Sequence, residues 1–172
     1  MIAARAGESW AQEALYQRYA RMVIALSQRM LPEAADADDL VQDVFVHALN
    51  QLHTLHNPQA FASWLGSIVV RTASKRLRSR RLLTRLGLRR PLAVDLDAVI
   101  APGAPPDVAL ELRRVYGALE RMPVQERIAL VLRRIEGMEI AEVAAQMGLS
   151  VATVKRRLKA AEVRLERAKQ RP

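Results

Sequence analysis

Residues 139–158 read EIAEVAAQMGLSVATVKRRL, two short helical patterns separated by Gly148-Leu149-Ser150. That arrangement predicts a helix-turn-helix: Gly148 takes positive φ at the turn, Leu149 plugs between the helices, and Ser150 caps the second. Ala141, Ala144 and Ala145 are small enough to let the two helices approach closely. In the second helix Val151, Val154, Leu158, Ala161 and Leu165 step by three and four, leaving Thr153, Lys155, Arg156 and Lys159 on the other face. A basic face of this kind suits a helix that enters the major groove and meets phosphates and base edges. A plain helical hairpin with a solvated basic face shares the periodicity, but the Gly-Leu-Ser turn favours the helix-turn-helix.

Towards the N-terminus the same stripe marks helices over 124–136, ended by Gly137, and 108–122, ended by Pro123. Between Arg81 and Asp107 the periodicity fades and Pro91, Pro102, Gly103, Pro105 and Pro106 cluster, which predicts a linker over 81–107. Its first part, with Leu82, Leu83, Leu86 and Leu88, is open to reading as a frayed helix extension. Earlier still, three helices are expected. Leu15, Tyr19, Met22, Leu26 and Met30 stripe the first, before Leu31-Pro32. The second runs from about Ala37 through Leu40, Val44, Ala48 and Leu52. Asn57-Pro58 opens the third as N-cap and first-turn proline, with Phe61, Leu65, Ile68 and Val69 inward. The fold class is therefore all-α: two small helical domains, 1–80 and 108–172, joined by a flexible linker, the C-terminal one containing the helix-turn-helix.

Composition agrees. The 172 residues carry 27 Lys and Arg against 18 Asp and Glu, a net charge of +9, so an acidic partner is expected, nucleic acid before a membrane surface. Aromatics make up only 4%, so the cores rest on aliphatic side chains, which suits helix packing. The absence of cysteine excludes disulfides, iron–sulfur clusters and thiolate zinc sites. No apolar run approaches the ~20 residues of a membrane span, and MIAARAGESW lacks a signal-peptide core, so the expectation is a cytoplasmic chain with no membrane insertion.

The stretch ALERMPVQERIALVLRRIEGMEIAEVAAQMGLSVATVKRRL, within residues 112–165, resembles the C-terminal domain of sigma-70-family RNA polymerase sigma factors of the extracytoplasmic-function group. ALYQRYARMV, DADDLVQDVFVHAL and FASWLGSIVVRTA, within about 11–80, resemble the same family's promoter-melting domain. The resemblance implies a sigma factor that directs core polymerase to specific promoters. Residues 1–80 correspond to region 2, for core binding and the minus-ten element, and residues 108–172 to region 4, for the minus-thirty-five element. It implies docking on the clamp helices of the largest subunit through Asp39, Leu40, Gln42 and Asp43, and on the flap of the second-largest subunit through region 4. Minus-ten contacts fall to Arg71, Thr72, Lys75 and Arg76, with His53, His56 and Asn57 in a loop that holds an extruded base. Minus-thirty-five contacts fall to Thr153, Lys155, Arg156, Arg157 and Lys159. Arg156 stands where the family usually has serine; arginine reaches farther and reads guanine bidentately. An anti-sigma protein is the further partner expected.

Charge placement supports this assignment. No Lys or Arg lies between Arg29 and Arg71, whereas Glu33, Asp36, Asp38, Asp39 and Asp43 are acidic, a segment that repels DNA and attracts a basic protein surface. From Arg71 to Arg90 the reverse holds, with nine bases and no acid. Other readings are weaker. Asp36 and Asp38 also favour a helix N-terminus. Asp39 and Asp43, one turn apart, lack a third metal ligand, and His47, His53 and His56 lack a cysteine or carboxylate partner. With no phosphate loop and no nucleophile arrangement, no enzyme activity, metal or cofactor is expected. The rival function is a stand-alone helix-turn-helix regulator that binds duplex DNA without polymerase.

Overall fold

The computed structural model describes residues 1–31, 34–88 and 105–170. Among them every regular element is helical. The order is α1 (Ile2–Arg5), α2 (Ser9–Met30), α3 (Ala34–Asn50), 3₁₀ turns at Leu52–Thr54 and Pro58–Ala60, and α4 (Phe61–Arg85). Further along the chain come α5 (Pro106–Arg121), α6 (Val124–Leu130) continued by a π turn (Val131–Ile135), α7 (Ile140–Met147) and α8 (Val151–Lys169). The described residues within 1–77 and 145–149 form one compact unit, and those within 78–144 and 150–170 form a second.

In the N-terminal unit the predicted stripes become the core. Val23, Leu26 and Met30 of α2, Leu40, Val44 and Ala48 of α3, and Phe61, Leu65 and Val69 of α4 are all buried. Few aromatics are present, and they are used together: Tyr16 lies 4.7 Å from Phe45 and Tyr19 lies 4.8 Å from Phe61, ring centre to ring centre. The short α1 was not expected from the sequence. It is held by an Arg5 guanidinium that donates to the Leu55 carbonyl, and by Gln12 Nε2 donating to Ala4 O at 3.4 Å.

The C-terminal unit packs Met122, Leu130 and Ala161 together, with Leu119 and Leu165 against them. Val154 and Leu158 extend the inner stripe of α8, but Val151, at its outer end, is exposed. Glu126 is buried and receives Arg164 Nε at 2.9 Å, so its charge is compensated. Burial pulls the Arg127 pKa below the usual arginine value, and the nearby Glu120 charge opposes that shift.

One expectation needs adjusting. Helix α4 runs on to Arg85, so residues 81–85 are its regular continuation, with Leu82, Leu83, Leu86 and Leu88 exposed. Most of the expected linker, including Arg89, Arg90, Pro91, Pro102 and Gly103, lies outside the described residues, as do Pro32 and Glu33.

Candidate nucleic-acid and docking interfaces

The α7–turn–α8 segment has the local geometry its residues dictate. Gly148 sits at φ +63°, a conformation costly for any residue with a Cβ. Ser150 Oγ accepts from Thr153 N at 3.2 Å and lies 2.9 Å from Thr153 Oγ1, capping α8. Of the three small residues Ala144 is buried, while Ala141 and Ala145 are exposed and Leu149 is only half-buried. Ser150→Ala is expected to cost about 1 kcal/mol. Gly148→Ala is expected to cost a similar amount through backbone strain alone, because a Cβ there would meet nothing within 4 Å. Thermal melting of the two variants checks both values.

Lys155, Arg156 and Lys159 are exposed on one face of α8. Thr153 is half-buried, with its hydroxyl engaged at the cap. Arg157 departs from the expectation that grouped it with these bases. It is half-buried, and its Nε is sequestered from solvent, because position 157 turns towards the packed side of the helix. The basic face extends beyond the motif instead: Arg156, Lys159, Val163 and Arg167 border one shallow groove along α8. The three- and four-residue spacing of those positions was the signal available in the sequence.

In the N-terminal unit, α3 presents Asp38, Asp39 and Gln42 to solvent, with Asp43 half-buried. Leu40 does not share that surface. It is 0% exposed, a core residue that shapes α3 from within and has no side-chain atom to offer a partner. The 51–60 loop is pinned inward by Leu52 and Leu55 and leaves His53, His56 and Asn57 exposed. Asn57 Oδ1 accepts from Gln59 N at 3.0 Å, the expected cap. His47 is also exposed, and its Nδ1 lies 2.8 Å from Asp43 O. Among the described residues no three His, Cys, Asp or Glu side chains come together in a metal-binding group.

On α4, Arg71 and Lys75 are exposed and Thr72 is half-buried. Arg71 Nη1 donates to Ser67 Oγ at 3.0 Å, which steadies its side chain one turn up the helix. Arg76 is placed differently from these three. Its guanidinium turns onto α3, with Nη2 donating to Asp43 Oδ2 at 2.5 Å and to Asp39 O at 3.1 Å. The structure thus joins the last expected DNA contact of α4 to the expected docking residues of α3.

Comparison with known proteins covers both halves of the chain. Sigma-70 region 2 matches residues 15–82, and sigma-70 region 4 matches residues 112–165. The chain is 32% identical over 166 residues to the ECF RNA polymerase sigma-E factor of Escherichia coli (strain K12), covering 88% of this chain and 83% of that protein. It is also 32% identical over 162 residues to the ECF RNA polymerase sigma factor SigM of Mycobacterium tuberculosis, covering 94% of this chain and 79% of that protein. Among solved structures, CnrH in complex with the cytosolic domain of CnrY is similar at a TM-score of 0.60 and 27% identity, covering 96% of this chain and 92% of that one. The fold is shared as well with the sigma factor RpoE of Bartonella quintana, solved with the anti-sigma factor NepR, at a TM-score of 0.63 and 20% identity, covering 91% and 94%.

Proposed function

The chain belongs to the extracytoplasmic-function group of the sigma-70 family of RNA polymerase sigma factors, and from that membership we propose how each of its faces is used. As a sigma factor it directs core RNA polymerase to specific promoters and initiates transcription. Asp39, Gln42 and Asp43 of α3 dock on the clamp helices of the largest subunit, where complementary charge sets encounter and register. The exposed bases Arg71 and Lys75 of α4 approach the minus-ten element, and the His53–Asn57 loop receives an unstacked base. Lys155, Arg156 and Lys159 of α8 enter the major groove at the minus-thirty-five element, with region 4 seated on the polymerase flap. Residues 81–107 join the two functional domains, 1–80 and 108–172.

The observation that carries this reading is the separation of exposed charge: carboxylates on α3, bases on α8. The chain makes no bonds itself; polymerase does the chemistry. A cytoplasmic location fits that work, and among the described residues no helix is long and apolar enough to cross a membrane. An anti-sigma protein is the regulatory partner proposed, in keeping with the complex solved for the Bartonella quintana relative. A gel shift on DNA enriched by the holoenzyme tests the reading. Sequence-specific retention is expected only with core polymerase present. Tight, site-specific binding by the chain alone, as a dimer on a palindrome, would instead make it a stand-alone regulator.

A further inference from the structure

The α3 face assigned to polymerase already holds an arginine. Arg76 Nη2 donates to Asp43 Oδ2 at 2.5 Å and to Asp39 O at 3.1 Å, and its Nε donates to the same Asp43 oxygen at 3.2 Å. Nη1 reaches Asp36 O at 3.5 Å and lies 3.8 Å from Asp39 Oδ2. One carboxylate and two backbone carbonyls therefore converge on one planar fork of donors, a geometry that suits guanidinium better than ammonium. The socket is open to its surroundings. The side chains of Arg76, Asp43 and Asp39 are 29%, 46% and 71% exposed. A cation arriving from outside meets the same oxygens, and two cations at one carboxylate repel each other.

We propose that Arg76 is an internal competitor for the docking face: in the free chain it fills the place at Asp43 that a basic side chain of the docked polymerase takes. Arg76 thus sets the affinity for core enzyme from the sigma side. It does so as a positioning residue of α4 that lies against α3, and it is not one of the promoter contacts. This inference rests on the docking role proposed for α3. The strength of a partly exposed ion pair implies an effect of up to about fivefold on core affinity.

The test is titration of core RNA polymerase against the full chain and its R76Q, R76K, D43N, R76Q/D43N and D39K variants, each checked by circular dichroism and melting. R76Q is expected to bind core more tightly than the parent chain, by up to about fivefold. R76K is expected to fall between them, since lysine keeps the charge and loses the fork. The gain should vanish in the D43N background, where R76Q/D43N should match D43N alone. A purely structural role for Arg76 predicts weaker binding by R76Q, and a DNA contact predicts no change; either result with a folded protein overturns the proposal. Should R76Q fail to fold, R76K decides: tighter binding than the parent supports competition, and equal or weaker binding overturns it. D39K separates the two levels of inference. If D39K loses core binding while R76Q shows no gain, competition alone fails; if D39K binds core undiminished, the docking role fails and the competition with it.

Discussion

Reversal of Asp39 and Asp43 to lysine is expected to weaken binding to core polymerase by at least about a hundredfold. Loss of one partner from a desolvated charge pair costs about 2–5 kcal/mol, and reversal adds repulsion to that loss. Since ~1.4 kcal/mol is a factor of ten, even the lower bound for a single pair exceeds tenfold, and two positions exceed a hundredfold. The two substitutions differ in their effect on the free protein. Asp39 is an exposed residue, so D39K leaves the packing of α3 intact. D43K sets an ammonium beside the Arg76 guanidinium and also breaks the α3–α4 tether, so its melting temperature should fall. Titration of core at two ionic strengths, alongside melting curves, separates docking from folding, because screening weakens the docking effect at higher salt.

The second large effect is expected at the other end of the chain. The triple variant K155A/R156A/K159A removes the exposed bases of α8 while leaving Val154, Leu158 and Ala161 to hold the helix in place. Promoter binding by the holoenzyme should fall by roughly a hundredfold or more. The slope of log affinity against log salt should become shallower by about one for each DNA phosphate that the variant no longer neutralises. R156A alone should cost about 1–3 kcal/mol and relax preference at one base pair, if that arginine reads a guanine edge. A uniform loss across all sequences from R156A would place it on phosphate instead.

How far the sequence could be read depended on whether the deciding contacts were local. Helix positions, the Gly148 turn and the Ser150 and Asn57 caps follow from residues within a few positions of one another, and the structure has them where the pattern places them. The four-residue α1 offers too little length for periodicity to register. The π turn at Val131–Ile135 keeps the apolar spacing of the helix it continues, so only its hydrogen bonding, such as Glu136 N to Val131 O at 3.1 Å, distinguishes it. Site residues divide along the same line. Lys155, Arg156 and Lys159 are exposed because the helical period makes them so. Leu40 and Arg157 sit in stretches assigned by resemblance, and their burial depends on what packs against α3 and α8. Arg76 is the clearest case. Its charged sequence neighbours are all basic, and its partner Asp43 lies 33 residues away, a pairing that no local spacing announces.

Run-off transcription by reconstituted holoenzyme, on a promoter recovered from DNA that the holoenzyme enriches, tests the central claim most directly. A promoter-dependent transcript is expected from the parent chain, with loss of that transcript from D39K/D43K and, separately, from K155A/R156A/K159A. No transcript from a well-folded parent chain on any enriched sequence would contradict the account, as would full activity retained by both variants.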